Sequence, residues 1–139
     1  MLDLNVIDLR PDPAQHARIF KENLYTDNPD ECCDINKVEP LDRVKKDYKV
    51  WMSGLIGFQN RHRNSLPIMD DNNNLVKFHQ LIDWNSSLVE EYIESHGLPE
   101  HPLNKKGFDS VGCTHCTSKG EGRNGRWSEI SKIECGLHR

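Results

Sequence analysis

Two cysteine pairs far apart in the chain constrain its fold more than any other feature: the adjacent Cys32-Cys33, and the turn Cys113-Thr114-His115-Cys116. A C-x-x-C segment brings two thiolates to one side of a tight turn, and a distant second pair can complete a four-sulfur shell for iron-sulfur or zinc. A fold that uses all four must return the chain from residue 113 to the segment around residue 32. Zinc corners generally use C-x₂₋₄-C, and a tandem pair is unusual there, so the spacing favours iron-sulfur and leaves zinc open. Cys135, in the terminal Glu134-Cys135-Gly136-Leu137-His138-Arg139, is left over from that set and is a candidate nucleophile. An odd cysteine count with a C-x-x-C fits a reducing compartment better than a secreted disulfide framework.

At 139 residues the chain fits one domain, yet only 35% of it is apolar and 29% is charged. Globular domains usually run to about 45–50% apolar with glycine counted. The thin core predicts that some packing surface belongs to a missing segment or a partner. The formal net charge of -4 gives no basic footprint of the kind counterion release exploits, so nucleic-acid binding is not expected. Basic residues gather locally at Arg61 and Arg63, at Lys105 and Lys106, and at Lys119, Arg123 and Arg126, where an anion can be held despite the acidic total. Each of these taken alone reads more readily as solvated loop charge. No leader opens the chain and no apolar run approaches the roughly 20 residues that span a bilayer, so a cytoplasmic protein without membrane contact is expected.

Along the chain, residues 4–9 read as a short strand, and Pro11-Asp12-Pro13 start a helix through about Leu24. A second helix is predicted from Asp30 to about Tyr48, with the cysteine pair in its first turn and Pro40 kinking or splitting it. Lys49 to Ser53 is a compact apolar run ending at Gly54, consistent with a buried parallel strand whose end feeds a ligand loop. Residues 66–69 and 75–78 flank the polar Asp70-Asp71-Asn72-Asn73-Asn74 like a hairpin. Ser87 and Glu90 stand in capping-box register for a helix to about His96, with Gly97 as its stop and Leu88, Val89, Tyr92 and Ile93 as its buried stripe. From Leu98 the chain is irregular, and a long irregular stretch that carries cysteines points to function.

Four blocks in order, residues 32–41 (CCDINKVEPL), 111–117 (VGCTHCT), 122–127 (GRNGRW) and 134–138 (ECGLH), resemble the sulfonucleotide reductases, in the cluster-bearing adenylyl-sulfate branch. The resemblance implies an α/β fold: the C-terminal portion of a Rossmann-like parallel sheet of the adenine-nucleotide alpha-hydrolase type, plus an irregular cysteine-bearing tail. It divides the chain into a partial α/β reductase domain over 1–112 and a C-x-x-C loop with catalytic tail over 113–139. It implies that Cys32, Cys33, Cys113 and Cys116 hold a 4Fe-4S cluster, zinc being the alternative. Cys135 would attack the sulfur of adenylyl sulfate or 3'-phosphoadenylyl sulfate, expelling AMP or its 3'-phosphate, and thioredoxin would reduce the S-sulfocysteine to release sulfite for assimilation into cysteine.

The same resemblance places Lys37 near cluster and substrate, matches Arg123 and Arg126 to the family's tail arginines, and assigns His138 to the substrate. Members of the family carry two arginines soon after the glycine that corresponds to Gly54. Here Ile56 and Gly57 stand there, and Arg61 and Arg63, further on, are taken as substrate-binding instead. Gly120 to Gly125 are expected to let a loop close over a ligand. The family's upstream SGGxDS phosphate loop has no counterpart in the chain, which implies self-association or a missing nucleotide-binding half. The alternative is a noncatalytic iron-sulfur or zinc binding fragment, or the partner subunit of a split reductase.

Overall fold

The computed structural model describes residues 4–72, 75–130 and 132–138. The chain forms two compact units: one runs up to Asp47 and includes the tail from Glu134, and the other spans Tyr48–Ile133. The boundary expected between residues 112 and 113 falls inside the second. No helix among the described residues is long and apolar enough to cross a membrane.

The first unit is helical. Helix α1 (Pro13–Lys21) starts on Asp12, whose carboxylate accepts from the Ala14 and Gln15 amides at 3.0 Å, with Pro13 at the first helical position. Asn23 then adopts a left-handed conformation (φ 52°), which asparagine tolerates, and separates α1 from α2 (Leu24–Asp27). Next, α3 (Pro29–Cys33), a π-helical turn over Asp34–Val38 and α4 (Glu39–Lys45) follow without interruption. Pro40 does not split this helix. A proline inside a helix crowds the carbonyl four residues earlier, and that residue, Asn36, lies within the wider π turn, which makes room for the ring. Ile19, Leu24 and Cys32 form a small core with Tyr25 and Ile35 against it. Residues 4–9 are not the strand expected. They have no ladder partner among the described residues, and Leu4, Val6 and Ile7 are exposed.

The second unit carries a sheet. Strand β1 (Val50–Ser53) is followed by a 3₁₀ turn over Gly57–Gln59 and the short α5 (Arg61–Asn64); β2 (Met69–Asn72) and β3 (Leu75–His79) complete the sheet, in the order β1-β3-β2. β1 runs parallel to β3, as the α/β reading requires, and β2 runs antiparallel to it, but the hairpin is shifted from the expected one: Asp70, Asp71 and Asn72, expected in the turn, pair with Lys77, Val76 and Leu75, and residues 66–68 precede the strand. Asn73 and Asn74 of the expected turn lie outside the described residues. β1 is not buried as expected: it is an edge strand, with Val50 52% and Met52 56% exposed. Helix α6 (Ser86–Ser95) is capped by Asn85, which accepts from the Leu88 amide at 2.9 Å, rather than by Ser87. Gly97 stops it at φ 58°. Of its expected buried stripe only Val89 is half-buried; Leu88, Tyr92 and Ile93 are exposed, and Tyr92 packs edge-on to Trp84 and stacks on His96. Beyond it the chain is irregular, as expected, with 3₁₀ turns at Asn104–Lys106 and Thr114–Cys116.

Ser53 and His79 are register partners at the ends of the parallel strands, with Ser53 Oγ 2.6 Å from His79 Nδ1. His79 is 2% exposed. Burial first, and then the Lys77 ammonium, hold it below the ordinary histidine range against the opposing pull of Asp70. Because the folded state binds this proton less readily than the unfolded chain, the stability is complete above the unfolded value near 6.5 and is lost as pH falls through the folded one. The urea midpoint should therefore drop as pH is lowered from about 7 to about 5, and His79→Asn should flatten that part of the profile.

Candidate functional site

Cys32 and Cys33 are both buried, within the opening turns of the continuous helix that starts at Pro29. Asn28 caps that helix through the Glu31 amide, and Cys32 N donates to Asn28 O at 3.0 Å. Four residues on, Asn36 Nδ2 donates to Cys32 Sγ at 3.7 Å, while Asn36 Oδ1 lies 2.9 Å from His16 Nδ1. An amide N–H aimed at a sulfur favours its thiolate form and its use as a ligand. Lys37 is half-buried in the π turn, one turn past Cys33. The tail belongs to this same unit and brings half-buried Cys135 and His138 into it. Arg139 lies outside the described residues.

The second pair sits on an internally hydrogen-bonded loop of the other unit. Cys116 N donates to Cys113 O at 3.0 Å, Thr117 Oγ1 donates to the same carbonyl at 2.9 Å, and Gly112 N donates to Thr117 Oγ1 at 3.0 Å. Cys113 is exposed and Cys116 buried. The carbonyl of Cys116 accepts from Arg126 Nε at 3.0 Å and from Trp127 N at 3.3 Å. Arg126 lies over the Trp127 ring at 4.5 Å, and its guanidinium fills the place a Cβ at position 112 would take. Trp127 is 5% exposed, its backbone is left-handed (φ 49°), and its indole N–H has no acceptor among the described residues.

The glycines at 120–125 do not form an open lid. Ser118 N donates to Gly125 O at 2.8 Å and Gly120 N to Gly107 O at 3.0 Å, and a Cβ at Gly125 would strike the Ser118 carbonyl. Arg123 reaches the Ile133 carbonyl at 3.2 Å and lies 6.0 Å from the Trp127 ring. Arg126 therefore braces the cysteine loop, and Arg123 holds the segment that leads into the tail. Arg61 is exposed and Arg63 half-buried on α5, where Asn60 caps the Arg63 amide at 2.8 Å and the Arg63 guanidinium meets Gln59 Oε1.

Cys32, Cys33, Lys37, Cys135 and His138 thus share one unit, and Arg61, Arg63, Cys113, Cys116, Arg123 and Arg126 the other. Within either unit, no group of three or more His, Cys, Asp or Glu among the described residues is arranged to hold a metal ion. Sequence reasoning passed over Asn36, His16, Gly112 and Trp127. Only Asn36 carried a usable signal, its helical spacing of four from Cys32.

The family model for the phosphoadenosine phosphosulfate reductase domain matches residues 1–119. The chain belongs to this family. It is 39% identical to a phosphoadenosine 5'-phosphosulfate reductase of Gloeobacter violaceus over 99% of this chain and 60% of that protein. It is 34% identical to an adenosine 5'-phosphosulfate reductase of Mycolicibacterium smegmatis over 98% of the chain and 61% of that protein. The crystal structure of a phosphoadenylyl-sulfate reductase from Candida auris shares the fold at TM-score 0.59 and 23% identity, covering 82% of this chain and 54% of that one. The chain thus spans about three-fifths of the length of these curated relatives.

Three observations bear on the cysteines, each within its own unit. Cys32, Cys33 and Cys116 are buried, Asn36 already donates to a thiol sulfur, and the Trp127 N–H is an orphan that an electron-rich acceptor would satisfy. Gly112→Ala should displace Arg126 from its place over residue 112, at about 1–3 kcal/mol. In metal-free protein this should speed iodoacetamide labelling of Cys116 by about tenfold or more, since each 1.4 kcal/mol of opening is tenfold, and leave exposed Cys113 unchanged.

Proposed function

We propose that this chain carries the nucleophile and the cysteine-held cofactor site of a sulfonucleotide reductase, which converts adenylyl sulfate or its 3'-phosphorylated relative to sulfite and AMP or its 3'-phosphate in cytoplasmic sulfate assimilation. The family match supports this reading, together with one structural observation: the tail with Cys135 belongs to the same unit as the Cys32-Cys33 helix and Lys37.

The Cys135 thiolate attacks the sulfate sulfur, an S–S bond forms, and the bond from sulfur to the bridging phosphate oxygen breaks, so that AMP departs with the electron pair. The product is S-sulfocysteine. A dithiol protein of the thioredoxin kind then supplies two electrons: one of its thiolates attacks Cys135 Sγ and expels sulfite, and its second thiol resolves the mixed disulfide and regenerates Cys135. Lys37 and His138 offer cationic and hydrogen-bonding groups to the substrate anion in the first unit. Arg61 and Arg63 offer guanidinium groups in the second, which suit sulfate and phosphate oxygens. Arg123 and Arg126 add two further guanidinium groups for the anion in the same unit.

Cys32, Cys33, Cys113 and Cys116 would hold one 4Fe-4S cluster, with the Asn36 amide and the Trp127 indole as N–H donors to its sulfurs. When bound, it supplies a fixed charge centre and ties the two cysteine pairs together.

Cys135→Ser should keep iron and acid-labile sulfide at wild-type stoichiometry in anaerobically purified protein and abolish the S-sulfo adduct seen by mass spectrometry. Loss of iron in that variant would sink the division of labour between the cysteines, and stoichiometric zinc without sulfide would replace the cluster with zinc. Groups that hold the adenosine and phosphates are expected in a nucleotide-binding half, which the test adds separately. Remote binding energy positions the reacting atoms, so sulfite release by the 139-residue chain should be slow alone and rise by orders of magnitude when that half is added. Full turnover by the isolated chain would refute this requirement.

A further inference from the structure

The sheet ends in a polar lock whose position suggests more than packing. Strands β1 and β3 are parallel, so Ser53 and His79 both lie at carboxyl ends, from which open α/β sheets send out their ligand loops. A buried imidazole is a costly way to fill space in a sheet unless its nitrogens are used, and here Nδ1 is used on Ser53 Oγ at 2.6 Å. We infer that His79, through Ser53, is a positioning residue for residues 54–64, the loop that presents Arg61 and Arg63 to an oxyanion. This rests on the reading of those arginines given above.

The loop is tied at two points to the single turn that follows β3. At its start, Ser53 is held by the His79 side chain. Four residues on, Gly57 N donates to Ile82 O at 2.9 Å, and a Cβ at Gly57 would collide with that same carbonyl oxygen. The turn itself is closed by Ile82 N to His79 O at 3.1 Å and fixed to the chain before β2 by His79 N to Ile68 O at 2.8 Å. His79 is therefore the residue through which the side-chain tie and the backbone tie both pass. From Gly57 only three residues lead to Asn60, which caps α5 at the Arg63 amide, so the backbone of Arg61 and Arg63 is fixed close to an anchored point. Guanidinium recognition of an oxyanion depends on donor direction as well as charge, and a slack loop would lose it.

The charged groups acting on the imidazole are Lys77 on β3 and Asp70 on β2, which pair with each other at 3.6 Å, while β1 contributes the neutral Ser53. Protonation of His79 would place a second positive charge in this buried site beside Lys77. The tie should then weaken in acid.

The probe is inorganic sulfate, titrated into the full chain and followed by the backbone amide shifts of residues 54–64. Arg61→Gln and Arg63→Gln should each weaken sulfate binding. Ser53→Ala and His79→Leu should weaken it by about tenfold, the loss expected from one buried charge-orienting hydrogen bond, and should speed amide exchange at Gly57 and Arg63 while the β2–β3 ladder stays protected. His79→Asn, whose side-chain amide can still bond Ser53, should restore affinity at neutral pH and lose less of it than wild type between about pH 7 and about pH 5. If His79→Leu does not fold, Ser53→Ala carries the test. Weakened binding in the arginine variants with wild-type affinity and exchange in Ser53→Ala and His79→Leu overturns this inference alone. Absence of sulfate binding in wild type, or undiminished binding in the arginine variants, overturns the anion reading and this inference with it.

Discussion

One carbonyl oxygen organises the cysteine-bearing half of the second unit. Cys116 O accepts from the backbone of Trp127 and from the Nε of Arg126, and those two bonds dictate most of what surrounds them. To donate from where it stands, Trp127 adopts φ 49°, a region where a bulky residue costs of order 1–3 kcal/mol. Three contributions offset that strain: burial of the indole, the guanidinium of Arg126 over its face at 4.5 Å, and Lys132 5.9 Å from its ring. The same guanidinium occupies the place of a side chain at position 112, so that any residue but glycine there must displace it. Gly112 is thus a consequence of Arg126, and Arg126 a consequence of the need to hold Cys116 still.

The helical pair is held by a different device with the same effect. Asn36 reaches Cys32 Sγ because a helix places residue i+4 above residue i, and the π turn that accommodates Pro40 contains this asparagine. His16, from a separate helix, fixes the amide by occupying its oxygen. A thiol that is buried and faced by an N–H donor is prepared to be an anionic ligand. In each unit, therefore, one cysteine of the pair is held by bonds from residues outside the pair: Cys32 at its sulfur by Asn36, and Cys116 at its carbonyl by Arg126 and Trp127.

Much of this was legible in the sequence, and the failures share a cause. Strands β1 to β3, the proline-started helices and the irregular cysteine loop follow from local signals: turn residues, caps and apolar runs. The errors concern burial. Residues 4–9 read as a short strand and the run at 49–53 as a buried one, but the first has no ladder partner among the described residues and the second stands at an edge. The stripe of α6 failed likewise, because periodicity says which face is apolar and not whether anything covers it. For the site, residue identities were readable from spacing, but roles that depend on contacts were not. The bond from Arg126 to the Cys116 carbonyl could not be read from spacing, nor could the close backbone approach at Gly120 and Gly125 within the glycine-rich stretch.

The uncovered positions follow from the composition and share a chemistry. Parallel strands are ordinarily buried on both faces, since a parallel pair gains less per residue from its ladder than an antiparallel one and relies on side-chain burial. β1 pairs parallel to β3 and leaves Val50 and Met52 on an exposed face, and Met69, the β2 partner of Phe78, is 61% exposed. Edge strands that must stay soluble usually carry charges, prolines or bulges. Val50-Trp51-Met52-Ser53 carries none of these. Its sequence is that of an interior strand, and the chain aligns with only three-fifths of its curated relatives. The low apolar content of the chain and the exposed apolar face of its sheet go together: Val50 and Met52 are residue types of a strand interior, standing exposed on a parallel ladder that ordinarily relies on side-chain burial.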